Sequence, residues 1–541
     1  MTAAPGEPPP PRPLEAVPSA EDLPEIQVGS SPDAIRQLRR ALRTGVIPDV
    51  YVTAGSLVRI ERVSGSLAVD LDENSPLPVA STPVTSPLLA ALLADHTYTY
   101  ENRARKDKNG KPEFTRTEVT PPPGVLSAAL AGSEWPMVPA LTGIIGTPVL
   151  RRDWSLLQNP GYDPASGLYL SPTVSIEPVP ARPGPAAVAK ARDFVLDTLL
   201  GDFEWEDSAS RANYVALMVT PFLRRPLRAL VPLAILSASA PSSGKSLLAA
   251  LIGLLVGQQT VPWPADNDTE LEKLITSTFT AESGAVIFDN LPEGESIASP
   301  TLANLLTNPV WTSRLLGGSR MGSWPNDRMW MATGNNLQVG GDIASRSVYV
   351  RLKPASPYPE ERTGFRIPDL QGWIKNPLNR SVLLRGLLIL VADWVAAGTP
   401  RDTSVPPMRQ FTPWAQGTGG FLKHHGIDGF LTNLGAIRRM DEEDQKWAVF
   451  LASWLDKFGS GYVRPSDLLA SVAADYDQPA GPWEGDFISD QGGRYPRTPQ
   501  KLGRMLAGQV DRFHGDPPLT LRTTSDDHNK ANVYRVERWQ P

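Results

Sequence analysis

The chain has 541 residues, 20% charged and 41% hydrophobic, the balance of a soluble protein with roughly three or four domain cores. Its net charge of -6 excludes a polycationic nucleic-acid coat, so any such binding is local. Cysteine is absent and histidine occurs five times, which excludes disulfides, thiolate zinc sites and cysteine nucleophiles. No apolar run reaches membrane-spanning length, and the proline-rich start lacks the charged and apolar regions of a signal peptide, so a cytoplasmic protein without a membrane partner is expected.

Residues 1–30, with Pro8 to Pro11, are too poor in apolar side chains to offset their ordering entropy and are expected to be disordered. An α+β domain is expected over 31–170. It opens with a helix from Ala34 to Thr44, then short strands at Val50-Tyr51-Val52 and Leu57 to Ile60. Asn109-Gly110 marks a hairpin whose flanks carry Arg103, Arg105, Lys106, Lys108 and Lys111. Those charges either solvate the strands or touch nucleic acid; the pattern leaves both open. Asp70-Leu71-Asp72, with His96 further on, superficially matches a primase carboxylate pair, but nothing completes a polymerase site. Leu71-Asp72-Glu73-Asn74 reads as the end of a strand entering a turn. Turns around Pro148 and Pro160-Gly161 close the domain, and a proline-rich linker spans 171–186.

An α/β core is expected over 187–375. Helical patterns cover Ala187–Leu200 and Ser208–Leu223, the second ending at Arg224-Arg225-Pro226. The apolar strand Leu230–Leu236 then leads into Ser237-Ala238-Ser239-Ala240-Pro241-Ser242-Ser243-Gly244-Lys245-Ser246 and the apolar helix Leu247–Val256. Strand, tight turn, Gly-Lys-Ser and helix form the context of a phosphate-binding P-loop. Ser239, Ala240, Pro241, Ser242, Ser243, Gly244, Lys245, Ser246 and Leu247 are the expected nucleotide contacts. Backbone N–H groups and the helix N-terminus face the phosphates, Lys245 reaches the β/γ-phosphates and Ser246 holds Mg²⁺. Ser239 stands where the pattern has glycine, so it must adopt a compatible backbone or the loop is remodelled.

Gly284–Asn290 is an apolar strand ending in Asp289, the Walker B acid expected to order Mg²⁺. Asn290 follows where many such ATPases place a glutamate, leaving Glu282, Glu293, Glu295 or Asn290 as the group acting on the attacking water. Met329–Asn336 is a second apolar strand, ending in Asn335 and Asn336; Asn335 is the preferred sensor of the γ-phosphate. Arg346 precedes the strand Ser347–Leu352 and suits an arginine finger for a neighbouring subunit. Between acid and amide strands, Val310–Gly322 reads as a hairpin whose Arg314 and Arg320 are either DNA contacts or ordinary surface charges.

Phe288-Asp289-Asn290, Arg314-Leu315-Leu316-Gly317, Ala332-Thr333-Gly334-Asn335-Asn336 and Gly341-Asp342-Ile343-Ala344-Ser345-Arg346 resemble the AAA+ core of superfamily-3-like helicases from phage and plasmid replication proteins and primase–helicases. Pro148–Tyr169 and Trp414–Leu431 share the likeness, which covers more than half the chain. The resemblance implies ATP and Mg²⁺ as cofactors, a hexameric ring and movement on single-stranded or forked DNA.

A helical connector is expected over 376–460, with helices at Asn379–Ala397 and Asp441–Lys457, the latter burying Trp447, Phe450, Leu451 and Trp454. Over 461–541, Pro465-Ser466-Asp467 caps a helix, Thr498-Pro499 starts another, and Leu519–Arg522 with Val533–Val536 form a wing. This end carries nine basic against five acidic side chains from Arg494 on, so a winged helix touching DNA through Lys501 and Arg504 is expected. The same module can instead dock protein. The combined reading is a multidomain α/β ATPase, a DNA helicase or translocase. Its rivals are an ATP-binding origin-recognition or regulatory protein that does not unwind, a primase–helicase, and a small-molecule P-loop kinase.

Overall fold

A computed structural model describes residues 23–29, 31–53, 55–62, 79–106, 112–132, 134–172, 174–264, 267–279, 284–314, 321–356, 358–435, 442–472, 483, 487–489, 495–515, 517–526 and 531–538. Outside them lie Asp70 to Asn74, the Asn109-Gly110 turn, Glu282, the Leu315–Arg320 tip and most of the proline-rich start. The chain divides into two compact units. The first holds residues up to Pro148 together with Leu157–Val174; the second holds Val149–Leu156 and everything from Ser175. The expected boundary near 170 is thus interrupted: Val149–Leu156 belongs with the second unit, where the Trp154 ring meets Trp394 edge-on at 5.4 Å.

In the first unit, helices Ser31–Arg43, Ser86–His96 and Pro123–Leu130 share one apolar core around Leu38, Leu89, Leu92 and Leu126. Val50–Thr53 and Ser56–Arg62 pair as expected, with Val79–Pro83 as a third strand. Tyr98–Lys106 and Pro112–Glu118 pair antiparallel. The arginines of the first helix have structural work: Arg39 donates to the Ala128 and Ala129 carbonyls, which end the third helix. There it satisfies acceptors that no turn of helix follows.

The second unit is built on a five-stranded, wholly parallel sheet. Its order across the sheet is Gln258–Val261, Ala285–Leu291, Met329–Asn335, Leu233–Ala238, Ser347–Leu352. Inner parallel strands are covered on both faces, which is why Leu233–Ala238, Ala285–Leu291 and Met329–Asn335 carry long apolar runs, whereas the edge strand Gln258–Val261 is polar and partly exposed. All six residues of Leu233–Ala238 are buried; the strand starts three residues later and ends two later than the apolar run Leu230–Leu236 suggested. The strand that comes fourth in the chain, Met329–Asn335, lies between the P-loop strand and the acid strand. Their C-terminal tips therefore form one row, where parallel sheets bind ligands.

Helix Ser208–Leu227 runs past its expected stop at Leu223, through Pro221 and Pro226. An interior proline costs about 3 kcal/mol. Packing offsets it here: Phe222, Leu223 and Leu227 are in the core, and the partly buried Arg224 donates to the carbonyls of Asn326 and Arg328. Burial pushes the Arg224 guanidinium down to about 10. The helices Pro377–Ala396 and Thr412–His424 pack behind, Trp414 Nε1 donating to Thr220 Oγ1 at 2.9 Å.

The expected division at 460 does not follow the packing. Helix Glu442–Phe458 puts Trp447, Phe450, Leu451 and Trp454 into one core with Leu468, Leu502, Leu521 and Val536, so it belongs with the C-terminal module. The next helix is Pro465–Ala470, with Arg464 at its cap and no capping side chain, so Ser466 and Asp467 lie inside its first turn rather than before it. Thr498 does cap Pro499–Ala507, accepting from Lys501 N at 3.2 Å. The wing is Leu519–Asp526 paired with Ala531–Arg538, with Phe513–His514 as a short third strand. Among the described residues no helix is long and apolar enough to cross a membrane.

Candidate nucleotide site

The turn after Leu233–Ala238 supplies the candidate phosphate wall. Gly244 has φ +95 at the cap of helix Lys245–Val256, a conformation that side chains resist. An added Cβ would also come within 3.0 Å of the Phe203 ring. The other left-handed residue of the turn is Ser242, at φ +55. Ser239 is not in that region; its N–H donates to Leu352 O at 3.2 Å, prolonging the pairing of the strand. The missing glycine is therefore harmless, because the positive φ falls three residues later. Ser243 Oγ closes the turn on Ala240 O.

Beside this turn opens a pocket of about 730 Å³, within the range of small-molecule sites. Ser242, Ser243, Gly244, Lys245, Ser246 and Leu247 line it, as does Asp289; Ser239, Ala240 and Pro241 do not. Lys245 Nζ donates to Asn335 Oδ1 at 2.6 Å and lies 3.5 Å from Ala240 O. Burial pushes the Lys245 ammonium below its ordinary range, and the charge of Asp289 opposes that shift. Register explains the meeting with Asn335, which pairs with Ala238, the last residue of the P-loop strand.

The amide strand holds its neighbours through three side chains. Thr333 Oγ1 donates to Asp289 Oδ1 and accepts from Asn290 N at 2.9 Å. Asn335 meets Lys245. Asn336 Nδ2 donates to Glu293 Oε1 at 2.9 Å and its Oδ1 accepts from Arg351 at 3.1 Å. The two asparagines thus face different groups. Of the glutamates considered for the attacking water, Glu293 is engaged by Asn336 and Glu295 accepts from Trp263 Nε1 at 3.0 Å. Neither lines the pocket.

Ser246 and Asp289 offer oxygen donors, the ligand chemistry Mg²⁺ prefers. The donor set fits that ion, with one carboxylate oxygen of Asp289 engaged by Thr333.

The opposite wall escaped sequence reasoning. It consists of Thr198, Leu199, Asp202, Phe203 and Glu204 on one side and Pro359 to Lys375 on the other. Arg362 pairs with Glu204 at 3.1 Å, donates to Asp202 O at 3.0 Å and lies over the Phe365 ring. Four residues on, Arg366 N donates to Asp202 Oδ2 at 2.6 Å and its guanidinium reaches Asp197 O. Phe194–Leu199 is a π-helix, a local geometry frequent at functional sites. The only sequence signal for this clasp is the Arg362–Arg366 spacing, which names no partner.

The remaining predicted residues lie elsewhere. Arg346 ends a short 3₁₀ turn, Gly341–Arg346, and donates to Ala303 O and Asp342 Oδ2, with 14% of its side chain exposed. It does not line the pocket of its own chain. Arg314 is exposed at the described end of the Val310–Arg314 and Met321–Pro325 hairpin; Arg320 lies outside the described residues. Lys501 and Arg504 are exposed on helix Pro499–Ala507.

No family model matches the chain, and no curated protein matches it significantly. Solved structures do show a likeness. The C-terminal region of NrS-1 in its apo A form aligns over 81% of this chain and 94% of its own, at 10% identity and a TM-score of 0.33. SCCmec type IV Cch, described as an active helicase, aligns over 76% and 83%, at 11% identity and a TM-score of 0.29. JCV helicase aligns over 46% and 72%, at 14% identity and a TM-score of 0.22.

Proposed function

We propose that the chain is an ATP-driven DNA helicase or translocase of phage or mobile-element replication, working as a ring, a hexamer by its resemblance, on single-stranded or forked DNA. The observation that carries the reading is the meeting of Lys245, first residue of a glycine-capped helix, with Asn335 at the tip of the strand beside the P-loop strand, near Asp289. That arrangement suits a triphosphate whose terminal group is held by backbone N–H groups and one ammonium.

In this mechanism Ser242 to Leu247 bind the phosphates and Lys245 passes from Asn335 to the β/γ-oxygens. Asn335, released, orients the attacking water or the γ-phosphate. When bound at Ser246 and Asp289, Mg²⁺ neutralises developing phosphate charge. Phe203, Phe365 and the apolar side chains of the far wall receive the base. The hairpin with Arg314 and Arg320, and the helix with Lys501 and Arg504, are the proposed DNA contacts. Arg346 completes a neighbour's site once it leaves Asp342.

The test is ATP hydrolysis with and without single-stranded DNA, wild type beside Lys245→Ala. DNA-stimulated turnover that falls at least about a hundredfold in the variant is expected. ATP bound but not turned over would leave an ATP-gated DNA-binding protein. Two observations favour that second reading: Asn290 stands after Asp289, and Arg346 is already engaged within its own chain.

A further inference from the structure

We infer that Thr333 is a positioning residue for metal-dependent nucleotide binding, acting through Asp289; the inference rests on the nucleotide-site reading above. Thr333 is 1% exposed and sits on the strand between the P-loop and acid strands. A hydroxyl has one hydrogen to give and lone pairs to receive. Here the backbone N–H of Asn290 occupies a lone pair, so the hydrogen is directed at Asp289 Oδ1. One carboxylate oxygen is thereby fixed, and the other is left to the pocket.

The need for this stitch is visible in the acid strand. Its pairing with the amide strand slips between Phe288 and Leu291, and Asn290 sits at φ +54. Asp289 is therefore at an irregular strand end whose regular ladder no longer sets its direction. Gly334 lets the two strands stay close there: a Cβ on it would lie 3.0 Å from Leu291 O and 2.6 Å from the Leu337 side chain. Thr333 replaces the lost ladder contact with a side-chain bond, and the same atom aims the carboxylate. A valine keeps the shape but strands the Asn290 N–H and frees Asp289.

Equilibrium binding of a fluorescent ATP analogue, titrated with Mg²⁺ from an EDTA baseline, tests this without any turnover. Thr333→Val and Thr333→Ala should match wild type in EDTA yet require about 10–100-fold more Mg²⁺, the loss typical of removing a partner of a metal ligand. Thr333→Ser should follow wild type. Asp289→Asn should shift the titration by itself, and adding Thr333→Val to it should change nothing further. A Thr333→Val titration that superimposes on wild type overturns the inference, as does a shift that adds in full to Asp289→Asn. If the valine variant melts early in EDTA, alanine against serine below both melting points decides. Analogue binding that neither Mg²⁺ nor Lys245→Ala alters would overturn the nucleotide reading itself, and this inference with it.

Discussion

The two walls of the pocket are made in different ways. The phosphate wall is one tight turn and three strand tips, tied together by backbone pairing and by bonds such as Lys245 to Asn335. The far wall is two segments more than 150 residues apart, Thr198–Glu204 and Pro359–Lys375, joined through the charges of Arg362 and Arg366. Backbone-ordered strands position groups rigidly, whereas partly exposed ion pairs each contribute little and open readily. On the proposed function, chemistry falls to the first wall and entry or release to the second.

Gly244→Ala should break the comparison most severely. It puts a side chain at φ +95 and against the Phe203 ring, so it strikes both walls at once. Isothermal titration with ATP should show binding weakened at least about tenfold, since the strain is of order 1–3 kcal/mol. Unchanged affinity would mean the turn does not cradle phosphate. The double change Arg362→Ala, Arg366→Ala should sharpen the contrast: stopped-flow release of a fluorescent ADP analogue should quicken several-fold while the single-turnover hydrolysis rate stays within about twofold. A matching loss in the chemical step would merge the walls into one functional element.

A control lies outside both walls. Burial pushes His425 down to about 4, although its Nε2 lies 3.0 Å from Leu390 O; His424, Asp393 and Arg192 are the charged or titratable groups around it. Its proton is then taken up by the unfolded chain at a pH where the folded chain refuses it. Stability is fully present above about pH 6.5 and is lost as pH falls towards 4, by roughly 3 kcal/mol in all. Urea melts of wild type and His425→Phe across that window should differ in slope, and saturating nucleotide should shift both curves without changing the difference.

The same contrast governs what the sequence made legible. Asp289 and Asn335 each end an apolar run, and Lys245 stands in Gly-Lys-Ser between an apolar strand and an apolar helix, so a local pattern marks all three. Phe203, Arg362 and Arg366 owe their place to tertiary packing of segments with no shared pattern, and nothing in either segment names the other. The Arg346 position was readable from its place before a strand, whereas its engagement by Asp342 and Ala303 was not. Pro226 argued for a helix end because its local cost is plain. The packing that offsets it, the partly buried Arg224 among its contacts, appears only when Asn326 and Arg328 are brought alongside.

That arginine makes a mechanical connection. The hairpin ends at Pro325, and the next carbonyls, those of Asn326 and Arg328, are gripped by Arg224 near the end of a 20-residue helix. Such a helix is a rod about 30 Å long. Its other end begins at Ser208, four residues after Glu204 of the far wall. On the proposed function, a load applied at the hairpin is delivered through this helix and its partly buried arginine joint to the side of the pocket assigned to nucleotide release.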